Sequence, residues 1–263
     1  MTTSEQRKAA LRLARKNAVE NSVKRQRDLW AEQVPKRFRG YSFDTDIIGA
    51  SSPLTAAEKI ALRNCAKSPD PFILMHGSTG VGKTTAACAL VSKIVEDAER
   101  EARPLSGGRP VFYSANSLLR ELSVMDRKNN RVVAERVFDL TCRASILLLD
   151  DVGAGNDGRT ERQERMLWDI LNERYNDPDK ITIFTTNMAR KSKMESRGLE
   201  EFFGVSMWDR IESTMCDIRF GNTESLRTAA NSSTATATTT DISEPRAVRK
   251  RSRAVRKRKT DEQ

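Results

Sequence analysis

The sequence predicts an α/β fold in which short buried strands alternate with helices. Three observations carry the prediction. Phe72-Ile73-Leu74-Met75-His76 is an apolar strand that runs into Gly77-Ser78-Thr79-Gly80-Val81-Gly82-Lys83-Thr84, and the residues that follow, Thr85–Val91, have a helical pattern. Ala144–Leu149 is a second apolar run and ends in two carboxylates, Asp150 and Asp151. Ile181–Thr186 reads as a third buried strand and ends at Asn187.

The bulk properties fit one domain with appendages. The chain has 263 residues, and at 38% hydrophobic and 31% charged it can bury a core, which excludes wholesale disorder. Its apolar stretches are short, six residues at most, against the ~20 that a membrane span requires, so no membrane role is expected. No apolar segment near the N-terminus reads as a secretory signal. Cys65, Cys88, Cys142 and Cys216 are scattered and His76 is the one histidine, which argues against a zinc site or a disulfide framework. His76, at a strand end, is expected to be a packed or half-exposed side chain. These features point to a reduced, cytoplasmic protein.

The net charge of +10 belongs to the two ends. Residues 1–39 carry +7 and residues 244–263 carry +6, which leaves the middle at −3. The expected organisation is a basic helical arm (1–39), an acidic core (40–228), a Ser/Thr-rich linker (229–243) and a disordered Arg/Lys-rich tail (244–263). The linker holds eight Ser/Thr in fifteen residues and has almost nothing to bury. Beyond it RAVRKR occurs twice, at 246–251 and 253–258. Such a tail suits a polyanion partner; a nuclear import signal or a merely solvated tail has the same composition.

In the arm, Ser4–Gln33 lacks Pro and Gly and favours helix. Leu11, Ala14, Ala18, Val19 and Val23 form a thin apolar stripe, for packing on the chain's own domain or for docking a protein or nucleic acid. Pro35 ends the helix, and Phe38, Tyr41 and Phe43 are expected to anchor the chain as it enters the core.

The glycine-rich segment is G-x-x-x-x-G-K-T in the strand–loop–helix setting that this motif requires. Glycines at 77, 80 and 82 let successive backbone N–H groups turn toward phosphate oxygens, and the helix starting near Lys83 adds its dipole. The loop from Gly77, Ser78, Thr79, Gly80, Val81 and Gly82 through Lys83, Thr84 and Thr85 is therefore expected to hold the phosphates of ATP. Lys83 would reach the β- and γ-phosphates and the Thr84 hydroxyl would ligate Mg²⁺. Asp150, after four apolar residues, fits the Walker B position that holds Mg²⁺, and Asp151 would polarise the attacking water. Asn187 fits the sensor that hydrogen-bonds the γ-phosphate or that water.

Taken together, the segments resemble the DnaC/IstB-like AAA+ ATPases, which comprise DnaC-type replicative helicase loaders and IstB-type transposition ATPases. The matching pieces, over roughly 35–228, are Pro35–Arg39 with Ser42-Phe43, GSTGVGKT, Val111–Tyr113 with Ser117–Leu119, and LLLDDVG. Leu171–Tyr175, Thr185-Thr186-Asn187, Phe203-Gly204 with Trp208–Ile211, and Thr223–Arg227 follow in the family's order. The resemblance implies a P-loop NTPase of the AAA+ class, with a parallel five-stranded sheet in order 5-1-4-3-2. Its strands would lie near 71–76, 111–114, 145–150, 181–186 and 216–220. It also implies a homo-oligomer with ATP bound between neighbouring protomers. Arg210 matches the arginine finger that completes the next subunit's site, the alternative being a helix-surface pair with Asp209 or Glu212. Arg227 matches a reduced sensor 2. Where most AAA+ ATPases have Glu as the second acid, this chain has Asp151, one methylene shorter, so turnover is expected to be slow.

The implied function is an ATPase that assembles on DNA, single-stranded in preference to duplex, and loads a replicative helicase. The alternative within the family is an IstB-type ATPase that binds duplex DNA and partners a transposase; outside it, a P-loop kinase of small molecules. The helix after the second strand, over 117–131, holds Arg120, Arg127, Lys128 and Arg131, for phosphate contacts or a solvated face.

Overall fold

A computed structural model describes residues 3–123, 131–155, 160–192 and 197–221. The linker, the basic tail and the Thr223–Arg227 segment lie outside the described residues. Five strands form one parallel sheet: β1 (Phe72–Gly77), β2 (Val111–Ser114), β3 (Ile146–Val152), β4 (Ile181–Thr186) and β5 (Met215–Phe220). Their spatial order is β2-β3-β4-β1-β5, the expected 5-1-4-3-2 read from the other edge. Helices α1 (Thr3–Gln33), α2 (Ala56–Lys67) and α3 (Lys83–Arg100) precede β2. Helices α4 (Ala115–Ser123), α5 (Arg131–Arg143), α6 (Glu161–Tyr175), α7 (Leu199–Phe203) and α8 (Val205–Ser213) come after it. Among the described residues no helix is long and apolar enough to cross a membrane.

The sheet is covered on both faces, which is why its central strands are apolar without alternation. The pleat of β1 sends Ile73 and Met75 into a core shared with α2, α3 and the end of α1. Phe72 and Leu74 enter the opposite core, shared with α4, α6, α7 and α8. There Phe72 stacks on Phe184 at 5.9 Å, and Phe184 meets Phe203 at 5.2 Å. Thr55 with Glu58 and Thr160 with Gln163 form capping boxes that start α2 and α6.

Arg174, at the end of α6, is fully buried and joins three elements. Its guanidinium donates to the Thr182 hydroxyl at 2.8 Å, to the carbonyls of Thr141 and Ala144, and to that of Ile181. All four acceptors are neutral, and burial pushes its pKa down to about 9. Cys65 of α2 and Cys216 of β5 are both free thiols with sulfurs 2.9 Å apart.

Two local expectations are corrected. The apolar stripe of α1 packs only at its C-terminal end: Leu11, Ala14 and Ala18 are exposed and Val19 is half-buried, while Val23 is buried together with Gln26, Trp30 and Val34. Trp30 Nε1 donates to Ser92 Oγ at 2.9 Å, Arg27 grips Glu99, and Gln26 bonds the backbone of Leu105 and Gly108. Polar anchors set that face, so hydrophobic spacing alone misplaced it. The single helix expected over 117–131 is not continuous either. α4 stops at Ser123 and α5 starts at Arg131, and Arg127 and Lys128 fall between the described segments.

Candidate nucleotide-binding site

The carboxyl ends of β1, β3 and β4 converge where the P-loop turns into α3. Gly80 and Gly82 sit at φ 85° and 93°, conformations open to glycine, and α3 begins at Lys83. Gly77 has a second reason to be glycine. A Cβ there would stand 2.4 Å from the carbonyl oxygen of Phe220 in β5.

Lys83 is buried, and its Nζ donates to the carbonyls of Gly77 and Ser78 at 2.9 and 2.7 Å and to Asn187 Oδ1 at 2.7 Å. The phosphate lysine and the sensor asparagine thus meet, although 104 residues separate them. Thr84 Oγ1 donates to Asp150 Oδ1 at 2.6 Å. Thr185 Oγ1 donates to the same carboxylate oxygen at 2.6 Å and accepts the N–H of Asp151 at 2.9 Å. Burial pushes the Asp150 carboxyl above its ordinary range, while the Thr185 and Thr84 hydroxyls act in the opposite direction.

Thr84 and Asp150 are hard oxygen donors side by side, which is the donor set that Mg²⁺ takes before completing its shell with phosphate and water oxygens. A cation there would also offset the cost of an ionised buried carboxylate. Among the described residues no group of three or more His, Cys, Asp or Glu could hold a metal on its own.

Asp151 turns away from its neighbour. The pairing of β3 with β4 shifts register between Leu149 and Val152, and Asp151 adopts φ 55°. This bulge keeps Asp150 buried and leaves Asp151 exposed in the cleft. Gly153 follows at φ 85°, where any Cβ would strike the Met188 sulfur.

The cleft has a volume of about 520 Å³. Thr79, Gly80, Val81, Gly82, Lys83, Thr84 and Thr85 line it together with Asp151 and Asn187. Its other wall comes from the chain entering the domain: Arg37, Phe38, Tyr41, Ile47, Pro53 and Leu54. Sequence reasoning did not assign this wall to the site. It took Tyr41 for a core anchor, but Tyr41 is 48% exposed and faces the cleft, whereas Phe43 is buried. The Arg37 guanidinium lies 4.5 Å from the Phe38 ring centre, and its charge favours ionised Asp150. Apolar and aromatic groups beside a phosphate loop suit a purine base, and the cluster of Phe38, Tyr41 and Phe43 shortly before the P-loop is the one signal of this wall in the sequence.

Arg210 is not part of this cleft. It donates to Asn172 Oδ1 and lies 5.5 and 5.7 Å from the Trp168 and Tyr175 ring centres. Neither Asp209 nor Glu212 is its partner in these contacts, and Glu212 pairs with Arg190 instead. Arg227 lies outside the described residues. His76 is half-buried beside Asp217 at 2.9 Å, and Arg190 reaches the other oxygen of that carboxylate at 2.8 Å.

A parallel 5-1-4-3-2 sheet with a P-loop after β1, an acid near the end of β3 and a polar sensor after β4 defines a P-loop NTPase of the AAA+ class. The chain belongs to the family of IstB-like ATP binding proteins, whose model matches residues 58–234. No curated protein sequence matches it. Among solved structures it is similar to the DnaC helicase loader, at 21% identity and a TM-score of 0.51, over 71% of this chain and 100% of that one. DnaI follows at 19% identity and 0.50, over 72% and 93%. A DNA replication initiation factor has 17% identity and 0.52, over 74% of this chain and 54% of that one. The likeness is one of fold. Membership of an ATP-binding AAA+ family sets aside the small-molecule kinase.

Proposed function

We propose that the protein is an ATPase that assembles on DNA as a homo-oligomer and loads a replicative helicase. The observation that carries this reading is the meeting of Lys83, Thr84, Asp150 and Asn187 at one end of the sheet. Lys83 Nζ exchanges the Gly77 and Ser78 carbonyls for β- and γ-phosphate oxygens, within reach of Asn187. Thr84 and Asp150 hold Mg²⁺, and the exposed Asp151 orients the attacking water. Aspartate reaches less far than glutamate, so hydrolysis is slow and the nucleotide serves as a timer of assembly. Arg210, held over Trp168 and Tyr175, becomes the finger of the neighbouring site by exchanging Asn172 for that site's γ-phosphate; such an arginine contributes about 10³–10⁵ in rate. The similarity to the solved chain of the DnaC helicase loader supports the helicase-loading reading.

The IstB-like family description favours a second reading, a transposition ATPase that binds duplex DNA and partners a transposase. One experiment separates the two. Full-length protein with ATP and Mg²⁺ is offered a hexameric replicative helicase and single-stranded DNA, or a transposase and duplex DNA, with Lys83→Ala as control. ATP-dependent helicase transfer to the single strand, lost in Lys83→Ala, is expected. Transposase capture without helicase transfer would overturn the loader reading.

A further inference from the structure

One line of residues runs the length of α1 and changes character halfway. Lys8, Arg12, Arg15, Val19, Val23, Gln26 and Trp30 are spaced by three or four, so they share one helical face. From Val23 onward that face is buried on α3 and the strand-edge backbone. Before Val19 it is exposed and cationic, flanked by the exposed Lys16. The direction of departure follows from the anchors. Trp30 meets Ser92 and Arg27 meets Glu99, near the end of α3, so α1 follows α3 away from the P-loop and leaves the body at the opposite end. Residues 3–22 then extend about 30 Å along the helix axis, at ~1.5 Å per residue. The cationic stretch keeps facing the side on which the body lies.

We propose that this overhanging stripe of Lys8, Arg12, Arg15 and Lys16 binds the phosphodiester backbone of duplex DNA, held beside the body at the end away from the nucleotide. The four members of the stripe are cations; exposed Leu11 borders it, three residues from Lys8 and four from Arg15, while exposed Leu13 lies off it, so the two leucines do not join into an apolar centre. A protein interface of this size would bury an apolar core. Within 3–22 there is no aromatic side chain to stack unpaired bases, the feature that single-strand sites use. A straight rod with charges on one face suits a stiff, regularly charged duplex. Lys16 does have an intramolecular partner, Glu20 at 3.8 Å, but both groups are more than half exposed and the pair yields easily. This contact is independent of which partner protein the ATPase serves.

The test uses the full chain with ATP and Mg²⁺, on a blunt duplex and on a single strand of equal length, over a range of salt. Lys8→Gln/Arg12→Gln/Arg15→Gln/Lys16→Gln removes the stripe and keeps good helix formers. Arg7→Gln/Lys24→Gln/Arg25→Gln removes exposed cations of the same helix that lie off it. The stripe variant is expected to flatten the log–log salt slope on duplex by about 3–3.6, at ~0.9 per lost phosphate contact, with the off-stripe variant changing it by less than about 1. Helicity by circular dichroism and nucleotide affinity should be unchanged in both. An unaltered duplex slope, an equal loss in the off-stripe variant, or a loss on the single strand alone would each overturn the proposal.

Discussion

Replacing Thr185 with valine removes a hydroxyl and keeps the volume, which isolates one hydrogen-bonded relay. Thr185 is fully buried, donates to Asp150 at 2.6 Å and accepts from the Asp151 N–H at 2.9 Å. A hydrogen bond to a carboxylate contributes about 1.5–3 kcal/mol, and an orphaned part-buried N–H costs about 1–3 kcal/mol. With Thr84 still donating to Asp150, the expected loss is about 2–4 kcal/mol in urea unfolding at neutral pH without nucleotide. Thr185→Ser, which keeps the relay, should lose about 1 kcal/mol or less for its missing methyl. The Thr185 hydroxyl also holds the Asp150 pKa down against burial. Without it the carboxyl protonates more readily, so the acid limb of Mg²⁺-dependent ATP binding moves to higher pH in Thr185→Val. A loss below 1 kcal/mol, or equal losses for serine and valine, would refute the reasoning.

Other perturbations test neighbouring parts. Asp151→Glu supplies the missing methylene at an exposed position, and single-turnover hydrolysis should rise several-fold; unchanged or slower hydrolysis would remove Asp151 from the water-activating role. Arg174→Met strips four buried acceptors of their donor and should destabilise the fold by about 2–4 kcal/mol in denaturant, only partly recovered by Arg174→Lys, which lacks the planar fork. Asp217 gives a pH signature. Burial opposes its ionisation, but the His76 imidazole at 2.9 Å and the Arg190 guanidinium at 2.8 Å outweigh it and hold its pKa below the ordinary value. Its stabilisation is therefore present above the unfolded pKa of about 3.9 and lost as pH falls through the lower, folded value. The stability gap between parent and Asp217→Asn should be visible at pH 7 and close in acid; a gap constant with pH would discard the assignment.

The parts of the site legible in the sequence are those that are local. Gly77 through Thr84 is contiguous, and Asp150 and Asn187 each close an apolar run, so strand ends marked them. β1, β3 and β4 were legible for the same reason, whereas the bounds of β2 and β5 came from the family resemblance; all five fall within two residues of expectation. What the sequence did not disclose depends on partners far along the chain. Arg174 looks like any surface arginine until the carbonyls of Thr141, Ala144 and Ile181 surround it. Thr185 reads as one threonine of a strand until Asp150 and Asp151 meet it across the bulge. The docked face of α1 is set by Gln26 and Trp30 finding Gly108 and Ser92, contacts that an apolar count cannot register. Tyr41 was misplaced because aromatic residues at a domain entrance usually go inward, while this one faces a cleft that needs a wall.

The strand order has a consequence for how the site comes into being. β1, which delivers the P-loop, is flanked by β4 and β5, the last two strands to be synthesised. Until residue 181 has emerged, a nascent chain holds the phosphate loop on a strand with no lateral partner. Until Phe220 follows, the backbone that abuts Gly77 is missing. Domains fold largely as units during synthesis, and pairings distant in sequence form slowly. Nucleotide affinity should accordingly arise late and abruptly during translation. Nascent chains that stop short of β5 would carry the whole motif yet have no competent pocket, so the cell makes either a complete switch or none.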